Sequence, residues 1–169
     1  QLVKAVFETA SRRALAYRDL GDKATWEKLA GNVINMAKGS DKYTDPDVIA
    51  TVHLWLGNVK FALSEGTNKE LKEVSAELDQ AAAPLLDTKK PNVYIERYGQ
   101  TAFNRRLREI YLAQAKVLAA RGAWHAGDAV ELIDKALELD KKPRNEDDRR
   151  FLARANIEAA DVLSWGKKD

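Results

Sequence analysis

The feature that most constrains this chain is an apolar spacing of three and four residues that recurs from one end to the other. Such spacing places hydrophobic side chains on one face of an α-helix, whereas a half-buried strand needs alternation. No sustained alternation of β-branched residues is present. Glycine and proline are scarce, at 9 and 4 in 169 residues, and the remainder is rich in Ala, Leu, Glu, Lys and Arg, which lose little conformational freedom in a helix. The chain is therefore all-α.

Start and stop signals divide the pattern into about seven helices. The first runs over roughly Leu2 to Leu20, with Val3, Val6, Phe7, Ala10, Ala14 and Tyr17 on one side. The second carries Trp26, Leu29, Val33, Met36 and Ala37 and ends near Gly39. Thr44-Asp45-Pro46-Asp47 opens the third, because a capping carboxylate precedes a proline whose missing N–H costs nothing in a first turn. That helix presents Val48, Val52, Trp55, Leu56, Val59 and Leu63. Thr67 and Glu70 form a capping box for the fourth, which Pro84 should kink or end. A long helix spans about Thr101 to Arg121. Asp128 and Glu131 read as the cap of the sixth, and the seventh begins near Asn145.

Gly21, Gly66, Gly122 and Gly166 each follow a helix, at separations of 45, 56 and 44 residues. Three helices share a polar–Arg–Arg motif: Ser11-Arg12-Arg13, Asn104-Arg105-Arg106 and Asp148-Arg149-Arg150. The even helices leave through lysine-rich exits, Lys38 to Lys42, Asp87 to Pro91 and Asp140 to Pro143. The expected architecture is a single domain, residues 1–169, of antiparallel helix hairpins stacked as an α-solenoid or compact helical array. Its period is near 44 residues. The spacing of 56 implies an insertion near 91–101.

The segment from Asp128 to Asp140, closed by Pro143, resembles the second helix of a tetratricopeptide repeat through Ala129, Ala136 and the run Leu137-Glu138-Leu139-Asp140. The resemblance covers about 15 residues. It departs from the family in a longer preceding loop, an absent Trp–Leu–Gly signature and a period above 34. It implies a protein-binding superhelix.

Composition narrows the functional classes. The net charge is +2, with 11 basic and 13 acidic residues up to Asp87 and 17 and 13 thereafter, too mixed for a nucleic-acid footprint. No stretch reaches the roughly 18–20 apolar residues of a membrane span. Cysteine is absent, which removes disulfides and thiolate chemistry. The chain starts at Gln1 and its only methionine is Met36, so a periplasmic or secreted location is expected over a cytoplasmic one.

Site chemistry is sparse. His53 and His125 lie in no metal-binding spacing, and neither G-x-S-x-G nor a phosphate-cradling glycine loop occurs. Glu70, Glu73 and Glu77 read as a solvent-facing row. No cofactor, metal or catalytic residue is expected. Gly31-Asn32-Val33 and Gly57-Asn58-Val59 repeat in successive helices, and a helical glycine costs about 1 kcal/mol, so close backbone approach should offset it. Tryptophan, tyrosine and arginine dominate interface hot spots. Accordingly, Tyr94, Arg97 and Tyr98 in the insertion, with Trp124 and His125 nearby, are the expected contacts for another protein. Self-association through Phe151, Ala155, Ala159 and Val162 of the last helix is a further expectation, unless that helix packs back as a cap. The alternative is a small-ligand pocket around Asn32, His53 and Asn58.

Overall fold

The computed structural model describes residues 2–87, 92–139 and 145–165, the side chains of Asp41 and Trp165 excepted. The described residues form seven α-helices and no strand. The packing divides the chain into two compact units, Gln1–Lys89 and Lys90–Asp169. Gly166 and the lysine exits at 88–91 and 140–143 lie outside the described residues.

The first unit holds α1 (Leu2–Asp19), α2 (Lys23–Ala37), α3 (Pro46–Leu63) and α4 (Asn68–Leu86). Local chemistry sets their starts. Asp22 accepts from the Thr25 N–H at 3.1 Å, and Asp45 accepts from the Asp47 and Val48 N–H groups with Pro46 in the first turn. Thr67 and Glu70 complete the expected capping box. Pro84 does not end α4, which runs two residues past it to Leu86. Short turns fold each helix back on its predecessor, giving hairpins α1/α2 and α3/α4, with α3 also packed on α1 and α2.

The core of this unit joins Phe7 and Ala14 of α1, Trp26, Ala30, Val33 and Ala37 of α2, and Val52, Leu56 and Val59 of α3. Val3 and Val6, expected inside, are instead exposed. The periodicity extends beyond the part of α1 that its neighbours cover.

The second unit holds α5 (Val93–Ala120), α6 (Ala126–Glu138) and α7 (Glu146–Trp165). Its core joins Leu112 and Ala115 to Ala129, Ile133 and Ala136 and to Ala155, Ala159 and Val162. The last helix thus packs back onto its own chain.

One register recurs in both units. Lys4 pairs with Asp47 at 2.5 Å, and the Arg12 guanidinium lies 5.0 Å from the Trp55 ring centre. In the second unit Arg105 pairs with Asp148 at 2.5 Å, and Arg108 lies 5.5 Å from the Phe151 ring centre. Every one of these partners is 43 residues from the other, as 47−4, 55−12, 148−105 and 151−108 show. α1 thus lies beside α3, and α5 beside α7, at the same offset along the chain.

The two helical glycines part company. At Gly57 an added Cβ would lie 2.8 Å from Leu78 Cδ2 and 3.1 Å from its Cγ, so α3 and α4 approach closely there. At Gly31 it would meet nothing within 4 Å, and the expected close approach is absent. Gly31→Ala should therefore stabilise the fold by about 0.5–1 kcal/mol through helix propensity. Gly57→Ala should destabilise it by about 1–2 kcal/mol, because displacing the buried Leu78 outweighs the same gain. Chemical denaturation of the two variants beside the wild type checks the opposite signs.

Candidate interaction surface

Of the expected insertion, Val93 to Thr101 is helical. Asn92 Oδ1 accepts from the Tyr94 and Ile95 N–H groups at 3.0 and 3.1 Å, which starts a helix at Val93. Gly99 interrupts it with φ 81° and ψ 160°, a conformation in which an L side chain is strained, and the helix resumes at Gln100. The short helix carries Tyr94 inward. Tyr94 is 1 % exposed, with its ring 5.0 Å from Tyr98 and 6.2 Å from Phe103. It is a core residue and is withdrawn from the expected partner contacts. Arg97 stays exposed, its guanidinium 5.7 Å from the half-buried Tyr98 ring.

Trp124 and His125 sit at the other end of α5. The 21 residues from Gln100 to Ala120 span about 30 Å at a rise of 1.5 Å each, so Arg97 and Tyr98 are not neighbours of Trp124. After α5, Gly122 turns the chain at φ 104° into a short 3-10 turn, Ala123–His125. The Trp124 side chain on that turn is 98 % exposed. His125 is half-buried, with Nδ1 3.8 Å from Asp128 Oδ2. The helix begins at Ala126, earlier than the sequence indicates. This leaves Asp128 within the first turn rather than as a cap, where its charge still suits the helix N-terminus. Glu131 pairs with Lys135 instead.

The apolar face expected to mediate self-association is already covered. Ala155, Ala159 and Val162 are buried in the core of the second unit. Phe151 is half-buried, with the Arg105 and Arg108 guanidinium groups 5.4 and 5.5 Å from its ring centre.

The alternative pocket residues do not converge. Asn32 is exposed on α2, and Asn58 is half-buried on α3. His53 precedes Asn58 by five residues, which turns it about 140° around the helix. His53 is buried and shares a face of α3 with Gly57 and Lys60 towards α4. Its Nδ1 lies 2.8 Å from Glu77 Oε2, and Lys60 Nζ donates to Glu77 Oε1 at 2.5 Å. Glu77 therefore points inward, not into the solvent-facing row that the spacing of Glu70, Glu73 and Glu77 indicates. The readable signal was on α3, where two basic side chains seven residues apart flank a glycine and so call for a carboxylate opposite.

Burial works to raise the Glu77 pKa, but hydrogen bonds from His53 and Lys60 and the attraction of Lys60 hold it below the ordinary 4.5. A depressed folded-state value means that this carboxylate adds stability above its unfolded pKa and loses that contribution as pH falls through the folded value. Wild type should thus be more stable than Glu77→Gln near neutrality, and the gap should close in acid below about pH 4.5. Thermal unfolding of both proteins between neutral and acid pH checks this; a constant gap contradicts it.

Among the described residues, no group of three or more His, Cys, Asp or Glu side chains could hold a metal ion, and no helix is long and apolar enough to cross a membrane. No protein-family model, curated protein or solved structure matches the chain.

Proposed function

We propose that the protein is a non-catalytic binding module, built on tetratricopeptide-like helix hairpins, that holds another protein through the α5–α6 turn with Trp124 as the anchor. The observation that carries this reading is the near-complete exposure of the Trp124 indole on a short, defined turn. An aromatic side chain removes roughly 150–250 Å² from water when buried, on the order of 4–6 kcal/mol before ordering costs. The fold leaves that contribution unused. The His125 N–H donates to the Gly122 carbonyl at 3.0 Å and closes the turn, so less backbone freedom is lost when a partner closes over the ring. Tryptophan is also the residue type most enriched among interface hot spots.

The test compares wild type and Trp124→Ala as immobilised captors in an extract of the source cells. Wild type should retain a discrete protein that Trp124→Ala loses, with the two melting midpoints within a few degrees of each other because the ring makes almost no intrachain packing. Identical captured sets from two folded captors would refute the reading.

A further inference from the structure

The face of α7 turned away from its own core has a pattern of its own. Ala153, Ile157, Ala160 and Ser164 recur at spacings of four, three and four residues, and all four are exposed. Ile157 stands 63 % exposed at the middle of the row. With 100° per residue, this row lies opposite Ala155, Ala159 and Val162, which the core covers. The spacing is that of a helix–helix seam, and its small residues let a second helix come close.

Charge indicates what fits there. Arg154 flanks the row on one side in the N-terminal half, and Asp161 flanks it on the same side one heptad later; both are exposed. A second helix carrying the same sequence in the opposite direction meets this arrangement with its own reversed. With a two-fold axis near Glu158, Ile157 of each copy seats on Ala160 of the other, Ala153 faces Ser164, and Arg154 of each copy lies beside Asp161 of the other. A parallel copy would carry its Arg154 and Asp161 to the opposite side of the seam, where neither charge meets its counterpart. We propose that the exposed face of α7 docks a second copy of this chain, antiparallel, through Ala153, Ile157 and Ala160 with two Arg154–Asp161 pairs. Three turns of one helix bury less than the roughly 1,200 Å² of a stable interface, so the dimer forms at high protein concentration and dissociates on dilution. The inference does not rest on Trp124, which lies on a different turn of the chain.

Analytical ultracentrifugation of the full chain over a concentration series tests it. Wild type should show a monomer–dimer equilibrium, with no growth beyond dimer because a two-fold interface closes on itself. Arg154→Asp and Asp161→Arg each create two like-charge contacts, and each alone should weaken association by about tenfold or more. An equimolar mixture of these two variants should associate again, since their heterodimer carries two opposite-charge contacts. Ile157→Asp should remove association while leaving the melting midpoint in place, because the side chain touches solvent and not the core. The proposal is overturned if wild type stays monomeric at the highest concentration reached. It is equally overturned if it forms open polymers, or if the two charge variants associate as wild type does.

Discussion

Tyr94→Ala is expected to cost the fold about 3–5 kcal/mol, the range for truncating a buried aromatic side chain. Tyr94 is 1 % exposed and its ring packs at 5.0 Å on Tyr98 and 6.2 Å on Phe103, so the truncation opens a cavity in the short helix that precedes Gly99. For a chain of this length the loss corresponds to a melting midpoint roughly 10 °C lower. Arg97→Ala, three residues further along the same helix and exposed, should change it by less than about 0.5 kcal/mol. Differential scanning calorimetry of the pair separates the two roles. If Tyr94→Ala melts with wild type, the residue is free for recognition after all and its placement in the core is wrong.

Arg108→Met carries the second large effect, an expected loss of about 2–4 kcal/mol despite the similar length of the new side chain. Arg108 is 1 % exposed, and its Nε donates to the Ala136 carbonyl at 2.8 Å. Ala136 lies in the last turn of α6, where four carbonyls have no partner within their own helix. A side chain from α5 thus closes the end of α6 and places positive charge at its negative pole. The guanidinium also sits 5.5 Å from the Phe151 ring centre, which ties α7 to the same group. Methionine keeps the hydrophobic contacts but leaves the carbonyl buried without this donor. Hydrogen exchange should show the amides of the last turn of α6 opening faster in the variant, alongside the drop in unfolding free energy. Unchanged exchange there would show that the cap contributes nothing.

The helices and most of their caps were legible because their causes are local. Asp45 before Pro46, and Thr67 three residues before Glu70, need only their own backbone to form the bonds observed. Residues whose role depends on a neighbouring helix were not legible. α3 contacts α1, α2 and α4, so it buries Val52 and Val59 on one side and His53 and Gly57 towards another, and a single amphipathic period cannot describe it. Glu77 follows the spacing of an exposed carboxylate row, yet His53 and Lys60 of α3 hold it inside. Tyr94 reads as a recognition residue by type alone; only the helix started by Asn92 and broken at Gly99 turns it inward. The expected contact set of Tyr94, Arg97, Tyr98, Trp124 and His125 joined both ends of α5, although the long helix expected over Thr101 to Arg121 already sets them about 30 Å apart. The 43-residue offset was half legible. Glycine spacings indicated a separation near 44, while the paired side chains stand 43 apart, since contacts between helices report the offset directly and helix ends drift by a residue or two.

That register decides which side chains are covered, and therefore which remain for recognition. Its most direct test uses the absence of cysteine from the chain. Arg105→Cys combined with Asp148→Cys places the only two thiols 43 residues apart, at positions whose side chains meet in the second unit. Arg105→Cys combined with Glu158→Cys moves one thiol ten residues along α7, about 15 Å away. A short bifunctional thiol reagent should link the first pair rapidly within the monomer and leave the second unlinked. Equal linking of both pairs, or of neither, would contradict the stacked register on which the whole account stands.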